Sequence, residues 1–258
     1  MDKTIFSKTD TNIIKGVAII MLLIHHLCYS VNQCGYIDFK IFSHDGTVWY
    51  FWNFCAYIFK ICVPIFLMLS GFGLYKSYKG NIIDFYKKRF SKIYETYWFI
   101  WLIFVPIGVV FFNISFSNVY GCNIFWKFLA NFLGIHLFFG YFGYNPTWWF
   151  ISLILGLYLL FPFFYEMIKN AKLCWFLFVV SFLLFFANGM NADFIFKFCF
   201  PFIFGMVCAK YDIFVKVKDF FLNLSNNINN VCMYVCMYVC MYVCMYGFIS
   251  CFSISFGV

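Results

Sequence analysis

The sequence predicts an all-α protein, a polytopic bundle of about seven transmembrane helices with one further interfacial or re-entrant helix. Three observations predict it. The 258-residue chain is 65% hydrophobic and only 11% charged, with a mean hydropathy of +0.87, against about 25% charged residues in an ordinary soluble domain. Several apolar runs approach the roughly 20 residues that cross a bilayer. The basic residues collect in short stretches between those runs, as they do beside membrane spans. The net charge of +8 is therefore a topology signal and not a nucleic-acid footprint.

The first expected span, 12–30, follows the polar stretch MDKTIFSKTDTN, with no small-residue cleavage site of a secretory leader after it. It carries Lys15 near its start and the pair His25-His26 further on. Lys15 and His26 are eleven residues apart, which puts them on one helix face about 16 Å apart along the axis. Ionisable groups inside a bilayer are costly and read as functional by default. His25 points about 100° away from His26 and reads as packing or support.

The second span is expected at 48–75 and ends in Ser70-Gly71-Phe72. No Gly-x-Ser-x-Gly elbow surrounds Ser70, which argues against a nucleophile there; Gly71 reads as a helix break or a close-packing point. The stretch 76–92 holds Lys76, Lys79, Lys87, Lys88, Arg89 and Lys92 against a single acid, Asp84. Being the most basic stretch, it is expected on the cytoplasmic side, which places the N-terminus there too. A third span is expected at 95–112. The stretch 113–147 reads as an external loop with an interfacial or re-entrant helix, because counting 124–141 as a span would move Lys169, Lys172, Lys210, Lys216 and Lys218 outside. His136 and the pair His44-Asp45 read as external loop residues. Spans at 148–165, 173–188 and 194–210 follow, with Trp148 and Trp149 as interfacial anchors.

The segment 221–230, FLNLSNNINN, is a polar linker. Val231–Tyr246 is the unit Val-Cys-Met-Tyr repeated four times, within a last expected span at 231–252. The tetranucleotide GTAT in tandem reads GTA-TGT-ATG-TAT and encodes this unit, so the tract predicts a slippage-prone, phase-variable gene. The 13 cysteines lie mostly in apolar segments at spacings that suit neither a disulfide framework nor a zinc site. They read as small buried hydrophobes, and no metal is expected.

Four places in the chain follow one pattern in order: Lys15…His26; the span Val63–Phe72 ending in Ser-Gly-aromatic; Phe85–Tyr94 leading into Tyr97-Trp98; and Thr147–Ser152 followed by Tyr158 and Pro162. Together they resemble the acyltransferase type 3 family of integral membrane O-acyltransferases, over roughly residues 12–165. Glu95 stands where the family has proline. The resemblance implies a multi-pass enzyme of the bacterial plasma membrane that moves an acyl group, usually acetyl, from cytoplasmic acyl-CoA to a hydroxyl of a cell-surface polysaccharide or related glycan. It implies no bound cofactor, with acetyl-CoA as donor substrate. The family's basic-x10-His motif falls on Lys15 and His26. This makes His26 the catalytic residue, Lys15 and Arg89 the acyl-CoA or phosphate contacts, and His25, Ser70, Gly71 and Trp149 supporting residues. His also suits the chemistry, since acyl transfer to a hydroxyl needs a base titrating near neutrality.

The domain expectation is a membrane acyltransferase domain at 1–230, incomplete at its C-terminal end, then the repeat at 231–246 and a short tail at 247–258 of the kind an out-of-frame reading produces. Two alternatives stand beside the enzyme reading. One is an inactive truncated product. The other is a glycan transporter or flippase, which calls for broken helices in paired halves.

Overall fold

The computed structural model describes residues 6–34, 47–141, 143–187 and 194–217. The pair His44-Asp45, the linker, the repeat, the tail and the expected span 231–252 lie outside the described residues. The described residues are all-helical, with nine α-helices, two 3-10 turns and no strand. Four stretches are long and apolar enough to cross a membrane: Lys8–Cys28, Phe54–Ser77, Ile82–Phe112 and Trp149–Lys169. Two shorter apolar stretches, Ala171–Phe185 and Phe198–Lys210, accompany them. The chain divides into one unit of residues 1–73 with 207–258 and a second of residues 74–206.

In the first unit, α1 (Lys8–Cys34) begins earlier than the hydropathy suggests, for a local reason. The Ser7 hydroxyl accepts from the Asp10 amide at 3.1 Å while the Asp10 carboxylate accepts from the Ser7 amide at 2.7 Å. This reciprocal capping box starts the helix before its apolar run. The expected span 48–75 is not one helix but two, α2 (Thr47–Phe59) and α3 (Cys62–Ser77), with a turn at Lys60-Ile61. Pro64, in the first turn of α3, has no amide hydrogen to continue a ladder from α2. α1 packs along α2, and Phe6, Phe72 and Phe214 form an aromatic trio with centroids 4.9–5.3 Å apart.

In the second unit, α4 (Ile82–Phe112) absorbs most of the expected basic loop into a helix of 31 residues. Asn81 caps it, its side chain accepting from the amides of Ile83 and Asp84 at 3.1 and 3.2 Å. The stretch expected as a loop with a short helix contains α5 (Phe116–Tyr120), α6 (Ile124–Phe132) and 3-10 turns at His136–Phe139 and Pro146–Trp148. At nine residues, α6 is about 14 Å long, half the hydrocarbon thickness of about 30 Å, so it does not span. α7 (Trp149–Lys169), α8 (Ala171–Ala187) and α9 (Phe194–Lys210) complete the described helices. α7 is the core element, with Leu153, Leu157, Phe161 and Ile168 fully enclosed. The apolar outer faces of α4 and α8, among them Phe99, Leu102, Phe111, Phe176 and Leu183, are exposed, as lipid-facing surfaces are.

Candidate active site

The register of α1 separates its two histidines. Ile14, Ala18 and Cys28 are buried and His25 is half-buried, at spacings of four, seven and three residues that trace one packed stripe. Lys15, Ile19 and His26 are exposed along the neighbouring stripe. His25 is therefore the structural member of the pair: its Nδ1 lies 2.6 Å from the Ala56 carbonyl oxygen on α2. His26 stays open beside it, the two ring centroids 5.2 Å apart. Lys15 and His26 thus share a face that the unit leaves uncovered.

The other expected site residues fall in varied surroundings. Ser70 is half-buried and Gly71 buried within α3. That helix runs through Gly71 without a break, so Gly71 serves close packing and the helix break lies earlier, at Lys60-Ile61. Arg89 is half-buried on α4 and donates to the Ser77 hydroxyl at 3.2 Å, which fixes the guanidinium at the basic end of that helix. Trp149 opens α7 half-buried and stacks on Phe198, centroids 5.6 Å apart. Trp148 corrects its reading as an interfacial anchor. It is only 8% exposed and meets the Tyr97 ring edge-on at 5.5 Å, in a core with Trp101 and Val105.

Tyr94, Tyr97 and Trp98, which the sequence pattern singles out, terminate α6. A helix end leaves its last carbonyls without partners, and inside a membrane each must be satisfied by protein. The Tyr97 hydroxyl donates to the Asn131 carbonyl, Trp98 Nε1 to Phe132 O at 2.9 Å and the Tyr94 hydroxyl to Leu133 O at 3.0 Å. The Ser152 hydroxyl takes the next carbonyl, Gly134 O, at 2.5 Å. Four side chains from α4 and α7 thus hold four successive carbonyls where α6 turns back.

His136 corrects its reading as an isolated external residue. It is 1% exposed, and its Nδ1 lies 3.3 Å from Asn131 Nδ2. Asn131 Oδ1 accepts from the Tyr120 hydroxyl at 2.8 Å and from the Tyr144 amide at 3.2 Å. A backbone amide can only donate, so Oδ1 must face Tyr144 and Nδ2 must face His136. His136 Nδ1 is then the acceptor and Nε2 carries the hydrogen. That buried Nε2 has no partner among the described residues. Burial lowers the His136 pKa to about 4 and pushes the Tyr120 hydroxyl up, so both are neutral at physiological pH.

Sequence reading passed over Lys60. It lies inside the stretch Phe54–Ser77 that is apolar enough to span, and a window average hides one cation among so many apolar residues. The structure places it at the break between α2 and α3, exposed, four residues after the Ala56 that holds His25. No group of three or more His, Cys, Asp or Glu able to hold a metal occurs among the described residues.

The site therefore offers an imidazole with an open face, a cation three turns away on the same stripe, and a second cation at a helix break next door. This set can take a proton from a hydroxyl and hold developing negative charge, which is what acyl transfer requires. A family model described as an acyltransferase domain matches residues 9–255, from α1 through the Val-Cys-Met-Tyr tract. Neither a curated protein nor a solved structure matches the chain. The match covers nearly all of the sequence and agrees with the apolar helices and the ordered motifs: the chain belongs to the acyltransferase type 3 family and is a membrane acyltransferase.

Proposed function

We propose that the protein transfers an acetyl group from cytoplasmic acetyl-CoA to a hydroxyl of a cell-surface glycan in a bacterial plasma membrane, with its N-terminus cytoplasmic. The observation that carries this reading is the open stripe of α1 on which Lys15 and His26 lie, with His25 tied to Ala56. Lys15 stands at the end of the span where the CoA phosphates arrive, and Arg89, at the basic end of α4, is a second phosphate contact. His26 stands near the other end, where a glycan hydroxyl arrives.

His26 takes the hydroxyl proton as the acceptor oxygen attacks the thioester carbonyl. The tetrahedral intermediate collapses with cleavage of the carbon–sulfur bond, and the proton on His26 passes to the departing thiolate to give free CoA. The alternative order, acyl transfer first to His26 and then to the glycan, uses the same residues. The GTAT-encoded tract makes the gene phase-variable, which suits a surface modification that is switched on and off.

The test is surface O-acetylation in cells carrying the wild-type chain or His26→Ala, with the tract set in each reading frame. Acetylation lost in the mutant and dependent on frame supports the reading. Acetylation unchanged in the mutant and in every frame overturns it. A transporter would instead show export of unmodified glycan that does not depend on acetyl-CoA.

A further inference from the structure

We infer that Lys60 is a further catalytic residue, whose ammonium group holds the oxyanion that forms on the acyl carbonyl during transfer. This rests on the acyltransferase reading above. Four observations carry it. A lysine stands within a stretch that is apolar enough to span, where an ionisable group is costly and marks a functional position by default. It stands at a break in the helix, between α2 and α3, and non-helical backbone at membrane depth is tolerated only where protein buries it or a polar cavity adjoins it. Ile61, Cys62 and Val63 are buried after the break while the Lys60 side chain is exposed, so the break is packed on one side and offers its cation on the other. No carboxylate among the described residues pairs with that cation.

The position relative to α1 supplies the rest. Ala56 lies four residues before Lys60 and its carbonyl holds His25. The ammonium group is within electrostatic range of the His25 ring, and the His26 ring is 5.2 Å from that ring, centroid to centroid. Lys60 therefore stands about one helical turn, roughly 6 Å along the axis, from the anchor point of the histidine pair.

The step balances with the groups present. The acceptor oxygen forms its bond to the thioester carbon and gives its proton to His26, and the carbonyl π pair moves onto oxygen. That oxygen then carries a full negative charge beside Lys60, which forms a charge-assisted hydrogen bond stronger than any the neutral carbonyl made. Collapse returns the pair to the carbonyl, breaks the carbon–sulfur bond and releases the thiolate to take the proton from His26. Lys60 stays protonated throughout.

The experiment uses the full chain in native membranes, with CoA release from acetyl-CoA measured in the presence of a surface-glycan preparation, for wild type, His26→Ala, Lys60→Met and Lys60→Arg. Removing an intramembrane charge does not hinder insertion, so Lys60→Met is expected at wild-type levels in the membrane. Its kcat is expected to fall roughly 10²–10³-fold, as when one oxyanion donor is removed. Its KM for acetyl-CoA should change less than threefold and its pH profile should keep its shape. Lys60→Arg should recover part of the loss.

Full activity in Lys60→Met would show Lys60 to be only an interfacial anchor. A shifted pH profile with an unchanged plateau would show that it acts on the histidine pair and not on the substrate. A loss confined to KM would make it a donor-binding residue. Each of these overturns the assignment while His26→Ala remains inactive. A wild-type chain without CoA release, or a His26→Ala variant as active as wild type, overturns the acyltransferase reading itself.

Discussion

At the scale of the residue, adjacent histidines on α1 have different work because 100° of helix separates them. His25 packs against α2 and holds Ala56 O, whereas His26 is open. His26→Ala should lower transfer at least about 10²-fold, the usual contribution of a general base, with little change in thermal stability. His25→Ala should do the converse in part, lowering stability by about 1 kcal/mol for the lost hydrogen bond, read from thermal unfolding in detergent. The Lys15–His26 register was legible from spacing alone, since eleven residues return a helix to the same face. The surroundings of His136 were not. Its partner Asn131, and the Tyr120 and Tyr144 groups that hold Asn131, come from two short helices and a loop with no shared periodicity, and only folding brings them together. His136 also makes the loop sensitive to acid. Its folded pKa of about 4 lies below the ordinary 6.5, so the folded state favours the neutral ring. That stabilisation is complete above about pH 6.5 and is lost as pH falls from there through about 4. Hydrogen exchange of residues 113–147 should therefore speed up over that window, and His136→Leu should flatten the response.

At the scale of the element, hydropathy finds helices but misplaces their ends. α1 starts at a capping box and α4 at Asn81, both of them polar signals that a window average smooths away. The break inside 48–75 escaped the same average, although Lys60 and Pro64 were the signals for it. α6 shows why Tyr94, Tyr97 and Trp98 fall together in the sequence. They are donors spaced along one helix to meet successive carbonyls of another. Tyr97→Phe removes one such donor and should cost about 1 kcal/mol, the net worth of one hydrogen bond, because Asn131 O keeps the Gly134 amide at 2.9 Å; the measure is a lower unfolding midpoint. Gly134→Ala should cost a comparable amount. Gly134 has φ +70°, and a Cβ there would lie 2.8 Å from Ile151 Cγ2, so the turn after α6 has room neither in conformation nor in space.

At the scale of the whole molecule, the class was legible and the detail was not. An apolar, helical, multi-span chain follows from composition, and the family follows from four short motifs whose order matters more than any one of them. The orientation rests on charge. With the N-terminus cytoplasmic, a reporter fused after Lys218 should also be cytoplasmic, and an external reporter there would reverse the expected topology. At the level of the gene, sequencing should show uninterrupted GTAT units through codons 231–246. Mixed codons for Val, Cys or Tyr would end the slippage explanation and leave the tract as peptide selected for itself.

The length of α4 has a consequence for the salt dependence of catalysis. All six of its charges lie between Asp84 and Glu95, while Thr96–Phe112 carries none. The uncharged part is about 26 Å long, close to the hydrocarbon thickness. The first part stays packed on α7, with the Tyr86 hydroxyl donating to Leu159 O at 2.8 Å and Phe85 stacked on Phe161, and Arg89 lies about 10 Å along the axis before the uncharged segment. The headgroup layer takes up about 5–7 Å of that length, so the basic cluster lies within a Debye length of about 8 Å of the headgroup charges. Anionic lipid headgroups then compete with a soluble polyphosphate for the same cations. Raising the salt concentration should increase the KM for acyl-CoA, and raising the fraction of anionic lipid should increase it too.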